Sequence, residues 1–314
     1  MLSMMKQVVI HAFGGADELM LTETPSPKVQ PGEVLIQNEV AAVNPYDWMA
    51  RKGEMKFLTG RKFPMVLGAE AAGVVKEVGS AVQGLHQGAR VIAICGRAGG
   101  YAQQIAIAAS QVVALPDNVD FDEGACLPVA GSTAWDALHQ IAKIERGQRV
   151  LIYGAAGGVG TCAVQLAKQA GCEVTAAARS DKHELLRSLG ADHVFDYTRQ
   201  SLAQTPGVFD LIFDTPSVLG YLQTKKKLSD GGVYIATLPT PAAFLWWGLT
   251  LLPGRKCRVV LAAPTVKKVA TLASLVSQRQ LRVVIDRSYP IEQVAEAHRY
   301  SETKRAAGKI VLKF

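Results

Sequence analysis

Tyr153-Gly154-Ala155-Ala156-Gly157-Gly158-Val159-Gly160-Thr161 is the stretch whose reading decides the fold. Arg149-Val150-Leu151-Ile152-Tyr153 leads into it as an apolar strand run. Beyond it a helix is expected over Thr161–Ala170, where Ala163, Val164, Leu166, Ala167 and Ala170 recur at helical spacing until Gly171. A glycine turn between a strand and a helix is the context of a phosphate cradle. Gly157 and Gly158 let backbone approach a pyrophosphate, with Ala156 and Val159 in the same turn, and Gly160 lets the helix pack on the strand. The free N–H groups and positive dipole end of the helix hold the charge. The pattern is AxGxxG from Ala155, so it departs from GxGxxG at its first position. The plainer reading is a structural glycine turn.

Outward from the cradle, strand and helix alternate. Strands are expected at 149–153, 173–178, 193–195, 209–213, 233–238 and 257–262. A helix opens at Asp181 with Glu184 at capping-box spacing, buries Leu185, Leu186 and Leu189, and stops at Gly190. Six strands alternating with helices imply an α/β fold with a doubly wound parallel sheet. The first third differs. Glu33–Gln37, after the Pro31-Gly32 turn, and Ala89–Ile94 read as short strands of an antiparallel barrel or sandwich. The last fifty residues offer helices at Val266–Arg279 and Ile291–Tyr300, then a closing strand Lys309–Lys313. That strand lies beyond the six and is expected to return to the N-terminal domain. The domains are therefore 1–124 with 263–314, and 125–262.

The composition agrees with two globular domains: 314 residues, 49% hydrophobic and 19% charged. A formal charge of +7 invites a nucleic-acid reading, but no basic stripe makes it the leading one, and Lys225-Lys226-Lys227 reads as a solvated helix face. Cys95, Cys126, Cys162, Cys172 and Cys257 are scattered without a CxxC pair, which fits a reducing, cytoplasmic setting and excludes a four-thiolate zinc site. Met1–Lys6 lacks a secretory core, and the uncharged Val150–Ala167 is broken by four glycines. Ala242–Leu252 is apolar but short of the ~20 residues of a membrane span, so no integral membrane association is expected. Its Phe244-Leu245-Trp246-Trp247 core suits a substrate-pocket wall, a subunit interface or a peripheral membrane contact. No HxxxH, HExxH or GxSxG spacing occurs.

Cofactor choice is read at the end of the second sheet strand, where an acid would hold the ribose hydroxyls of NAD. Here stand Ala178-Arg179-Ser180-Asp181-Lys182. Arg179 offers a charged fork for a 2′-phosphate, Ser180 a hydroxyl and Lys182 a second cation, so NADPH is expected over NADH. The plainer reading makes Arg179 a solvated surface charge.

Several segments together resemble one family. Val66–Val75 is similar to the GHExxGxV segment of medium-chain alcohol dehydrogenases, and Leu127–Ala134 to the stretch that enters their nucleotide domain. Gly154–Gly160 and Gly308-Lys309-Ile310-Val311 match as well, and Ala42-Val43-Asn44-Pro45-Tyr46-Asp47 resembles the zinc-independent quinone oxidoreductase branch of the medium-chain dehydrogenase/reductase superfamily. The resemblance implies a Rossmann domain inserted in a GroES-like, barrel-type catalytic domain, with the active site in the cleft between them and a homodimer formed near Arg258–Ala262. The departures matter: Ala69 stands where the zinc enzymes have a histidine ligand and Asn44 where they have a cysteine. No metal is expected. Without a Lewis acid, hydride delivery suits a quinone or an α,β-unsaturated carbonyl, whose oxyanion needs only hydrogen bonds.

By the same resemblance, Asn44 borders the nicotinamide and substrate, Thr133 lies at the nicotinamide and Tyr197 meets the adenosine; Thr237-Leu238-Pro239, at the carboxyl end of a sheet strand where ligands lie, is expected to pass the carboxamide. Tyr46 is the candidate proton or hydrogen-bond donor, whereas Asp47 caps or braces its turn. Each has an ordinary alternative: an Asn-Pro turn for Asn44, a half-buried aromatic for Tyr46, a helix hydroxyl for Thr133, packing for Tyr197. The rival functions are an enoyl-thioester reductase and a non-catalytic NADPH-binding regulatory protein.

Overall fold

The computed structural model describes residues 4–96, 99–251, 253–261 and 263–314. Met1 to Ser3, Leu252 at the end of the apolar run and Ala262 at the end of the expected dimer strand lie outside the described residues. The chain divides into two compact units, Met1–Val129 with Pro264–Phe314, and Ala130–Ala263. The first boundary falls later than residue 124 because helix Phe121–Ala125 packs on strands Glu33–Val43 and Glu70–Val78, and Val129 donates its N–H to Glu70.

The Ala130–Ala263 unit is built on six parallel strands in the order His193–Phe195, Glu173–Ala177, Arg149–Tyr153, Phe209–Asp214, Leu228–Ala236, Lys256–Val259. The chain runs outward in one direction, then returns beside its first strand and runs outward in the other. That switch point, next to Arg149–Tyr153, is where doubly wound sheets open a crevice at their carboxyl ends. Val150, Leu151 and Ile152 are fully buried, as a strand covered on both faces requires.

Several boundaries differ from the sequence expectation, among them the last sheet strand, which is Lys256–Val259 and not 257–262, and for three elements the local reason is visible. The first helix spans Gly158–Gln169, starting three residues before Thr161, so the glycine turn is itself the opening turn. Strand Leu228–Ala236 starts early through a register shift opposite Phe209/Leu211, and ends early because the N–H groups of Thr237 and Leu238 turn to the Ser217 hydroxyl. Asp181 does not open a helix. It lies in a 3-10 turn, Ser180–Lys182, and the α-helix His183–Ser188 begins after Lys182. The Asp181 carboxylate faces Arg179 and Lys182 instead, at 3.7 and 3.4 Å.

Helix Pro241–Leu249 holds no buried residue, although it carries Phe244, Leu245, Trp246 and Trp247. Trp246 leans on Tyr221 and Phe244 stacks with Trp247, leaving Leu245 and Leu249 exposed. It packs beside Lys256–Val259, the strand that ends the sheet. Lys225–Lys227 form an exposed 3-10 turn, with Lys227 bonded to the Thr205 carbonyl. Among the described residues no helix is long and apolar enough to cross a membrane.

The other unit is mainly antiparallel. A three-stranded sheet joins Met20–Pro25, Met4–Ile10 and Met65–Val66. A seven-stranded sheet runs Ile285–Pro290, Lys309–Lys313, Glu33–Val43, Glu70–Val78, Arg90–Ile94, Val112–Ala114, with Gln104–Ala108 also pairing to Glu33–Val43. Strand Glu33–Val43 is more than twice the length read from sequence. Register shifts at Leu35/Ile36 and Asn38/Val40 curve it, and curvature lets one strand serve three neighbours. Val8, Ile10, Val34, Ile36, Val91, Ile105 and Leu312 form its core. The closing strand lies inside this sheet, antiparallel to Glu33–Val43, with Ile310 opposite Val43. Because Ala41 also faces Ala71, the register gathers Asn44, Glu70 and Lys309 at one end of the sheet.

Candidate active site

The phosphate cradle is assembled by backbone alone. Gly157, extended at φ −77° and ψ 174°, caps helix Gly158–Gln169, whose first i→i−4 bond runs from Thr161 N–H to the Gly157 carbonyl. The amides of Gly158, Val159 and Gly160 precede that bond and face out of the helix end, as an anion requires. The N–H groups of Gly154 and Ala155 bond to the Ala177 carbonyl, tying the turn to the end of the second strand. A Cβ on Gly160 would stand 2.5 Å from the Gly154 carbonyl oxygen and 2.6 Å from Ala155 Cα. A Cβ on Gly157 would meet only the Gly154 oxygen, at 3.6 Å. Gly160 is thus fixed by packing, whereas Gly157 is free of packing demands and leaves room in front of the amides. These residues fit a dinucleotide pyrophosphate.

Past the second strand, exposed Arg179 and part-exposed Lys182 flank Asp181. Such exposed pairs hold little energy, so an arriving phosphate competes well for both cations. Ser180 plays a different part from the one read in sequence: its N–H donates to Asp196 Oδ2 at 3.0 Å, and its hydroxyl also engages that carboxylate. Thr198 donates through both its hydroxyl and its N–H, and these bonds hold the Asp196 carboxyl well below the usual range. Asp196 therefore braces the turn that presents Arg179. Tyr197 stacks on Tyr153 with ring centroids 5.1 Å apart, at the carboxyl end of the sheet. Thr133 is buried in the short helix Ser132–Trp135, and Leu238 is half-buried with its N–H bonded to Ser217 Oγ at 2.9 Å.

In the other unit, Asn44 ends the long strand and begins helix Pro45–Arg51, with Pro45 at the first helical position. Asp47 Oδ2 accepts the Asn44 N–H at 2.7 Å, the bracing role expected of it. Burial pushes the Asp47 carboxyl up to about 7, against the lowering effect of that hydrogen bond. The Asn44 amide is held at both ends: Lys309 Nζ lies 2.5 Å from Oδ1, and Nδ2 lies 2.9 Å from Glu70 Oε1. Lys309 Nζ also donates to Glu70 Oε1 at 2.7 Å, and Glu70 Oε2 takes the Val129 N–H at 2.6 Å. Tyr46 is half-buried on the same helix. Tyr101 and His298 extend the buried polar chain, with Tyr101 Oη 3.1 Å from His298 Nε2.

Glu70, Lys309, Asp196 and Ser217 escaped selection in the sequence. For the first two a signal existed: each opens an apolar run, Glu70 before Ala71-Ala72-Gly73-Val74-Val75 and Lys309 before Ile310-Val311-Leu312, and the signs are opposite. Nothing local marked Asp196 or Ser217. The residues around Asn44 do not fit a zinc site. Ala69 has no donor atom, and the Asn44 and Glu70 oxygens already bond an ammonium. Among the described residues no three His, Cys, Asp or Glu side chains group to hold a metal.

Comparison with known proteins now adds to this geometry. Residues 30–117 match the family described as alcohol dehydrogenase GroES-like domain, and 189–312 that described as zinc-binding dehydrogenase. The quinone-oxidoreductase homolog of Spinacia oleracea chloroplasts is 35% identical over 312 residues, covering 95% of each chain. The chain belongs to the medium-chain dehydrogenase/reductase superfamily, in its quinone oxidoreductase branch. The NADPH-dependent alkenal/one oxidoreductase of Arabidopsis thaliana chloroplasts is 33% identical over 321 residues, covering 98% of this chain and 79% of that one. Among solved structures, the quinone oxidoreductase from Coxiella burnetii superposes with a TM-score of 0.90 at 30% identity, over 99% of this chain and 100% of that one. The protein is an oxidoreductase of this superfamily, whose members bind a nicotinamide cofactor, and its fold is the superfamily's Rossmann-like parallel sheet with a GroES-like domain.

Proposed function

We propose that the protein is an NADPH-dependent, zinc-independent reductase of quinones or α,β-unsaturated carbonyl compounds. The observation that carries this reading is the Lys309 ammonium, bonded to the oxygens of Asn44 and Glu70 where a metal Lewis acid would need donors. An acceptor that delocalises its own charge is reduced without such a metal. The names of the Spinacia and Arabidopsis relatives support the same substrate class.

NADPH supplies the hydride when bound. Ala156, Gly157, Gly158, Val159 and Gly160 hold its pyrophosphate, Arg179 and Lys182 its 2′-phosphate, and Ser180 the turn beneath them. Tyr197 serves the adenosine and Thr133 and Leu238 the nicotinamide. Asn44 serves the nicotinamide and, with Tyr46, donates hydrogen bonds to the reacting oxygen. The protein acts as a homodimer joined along edge strand Lys256–Val259, beside the exposed apolar helix Pro241–Leu249. Its five cysteines are buried thiols outside any disulfide, which supports a reducing, cytoplasmic setting.

Oxidation of NADPH and of NADH is to be followed against quinones, short enones and long-chain enals, on dialysed protein assayed for metal. Turnover with NADPH by metal-free protein is expected. Stoichiometric zinc, or no turnover across the panel, overturns the reading, and turnover restricted to enoyl thioesters moves the substrate class. Arg179→Asp is expected to lower the NADPH-over-NADH preference about tenfold or more, in line with loss of a charge-assisted phosphate contact. An unchanged preference would remove Arg179 from the site.

A further inference from the structure

The donor and acceptor capacities of Asn44, Glu70 and Lys309 admit one arrangement. Lys309 only donates and the Glu70 carboxylate only accepts, so the Asn44 amide between them turns its oxygen to Lys309 and its nitrogen to Glu70. The Lys309–Glu70 bond closes the ring, and all three side chains are buried. Burial by itself would lower the Lys309 pKa, but the Glu70 charge and hydrogen bond hold it above the ordinary value, so Lys309 stays an ammonium at neutral pH.

Stability alone does not explain this pair. A buried ion pair is often no better for folding than apolar residues of the same volume, and here the lysine begins the apolar strand Lys309-Ile310-Val311-Leu312. What the ring does fix is an amide. Asn44 Nδ2 carries two hydrogens; one is spent on Glu70, and a cation at the amide oxygen draws electron density away from the other.

We propose that Lys309 is a positioning residue for the reduction, acting through Asn44: it locks the orientation of the amide and strengthens its remaining N–H as a donor. This rests on the reading that Asn44 serves the reacting oxygen. Glu70 is the counter-charge that keeps the ammonium in place.

The test is a double-mutant cycle in the full chain. Lys309→Met is made with Glu70→Gln, so that no lone charge is left buried, in the native background and in Asn44→Ala. Thermal midpoints are read together with the NADPH dissociation constant by fluorescence without turnover, and with kcat and KM. The neutralised pair is expected to lower kcat about tenfold or more with Asn44 present, and to change it less than about twofold once Asn44 is alanine. Lys309→Arg, with Glu70 kept, is expected to recover most of the loss. Coupling should appear in NADPH binding as well. Equal effects in both backgrounds, or a fall in thermal midpoint with kcat unchanged, overturn the proposal. A native enzyme inactive on every quinone and enone would instead sink the functional reading, and the binding cycle would still decide whether Lys309 works through Asn44.

Discussion

His298 is fully buried, with Nε2 against the Tyr101 hydroxyl. Tyr101 lies between Asp47 and His298, its hydroxyl 3.1 Å from the ring nitrogen Nε2. Nδ1 remains without a partner, which a neutral imidazole tolerates and a charged one does not. Burial, reinforced by the nearby Arg51, lowers the His298 pKa to about 3, with Glu302 opposing. The sign follows from linkage. The unfolded chain takes up a proton near the ordinary value of 6.5 and the folded protein does not, so this contribution to stability is complete above 6.5 and is lost as pH falls toward 3. His298→Gln keeps a hydrogen-bond partner for Tyr101 but cannot titrate. Its thermal midpoint is expected to fall less steeply than the native protein's between those pH values. Parallel curves would show that His298 is protonated in the fold.

The helical pattern of Ala163, Val164 and Leu166 appears in the sequence only after the glycine turn, because a helix's first turn need not show apolar spacing. The structure makes the glycine turn the opening turn of the helix, which is why its amides are available. Two substitutions there should separate packing from binding. Gly160→Ala forces a Cβ to within 2.6 Å of backbone atoms that cannot swing aside, and should destabilise the protein by about 1–3 kcal/mol in denaturant titrations. Gly157→Ala meets only one ordinary contact, and its φ suits any residue, so the unfolding midpoint should hardly move. On the proposed reading NADPH affinity should still fall, because the added methyl takes up space in the turn proposed to hold the pyrophosphate. An unchanged dissociation constant for Gly157→Ala would show that the pyrophosphate binds elsewhere. The misreading at Asp181 has a similar origin. Its spacing to Glu184 is that of a capping box, but the backbone at Ser180–Lys182 winds as a 3-10 turn and the helix begins after it, and sequence spacing carries no information about that choice.

The parallel sheet was legible because its inner strands, Arg149–Tyr153, Glu173–Ala177 and Phe209–Asp214, are largely runs of buried apolar residues bounded by turns. The antiparallel unit was legible only in part, since its curvature comes from bulges and its central pairing from residues 309–313, far from residue 43 in sequence. Local patterns do not encode such a closure. The same closure gives the molecule an asymmetric dependence on its own end. Strand Lys309–Lys313 has neighbours on both sides, and Ile310, Val311 and Leu312 are all buried, so removing it cuts Ile285–Pro290 off the seven-stranded sheet and uncovers one side of Glu33–Val43. Residues 130–263 form their six-stranded sheet without any segment from beyond that range. A chain ending at Gly308 is therefore expected to lose the first unit and keep the second. Limited proteolysis should digest the truncated protein down to a resistant fragment near 130–263, whereas the intact chain survives the same treatment. Digestion of the whole truncated chain would show that the nucleotide unit draws its stability from the other one.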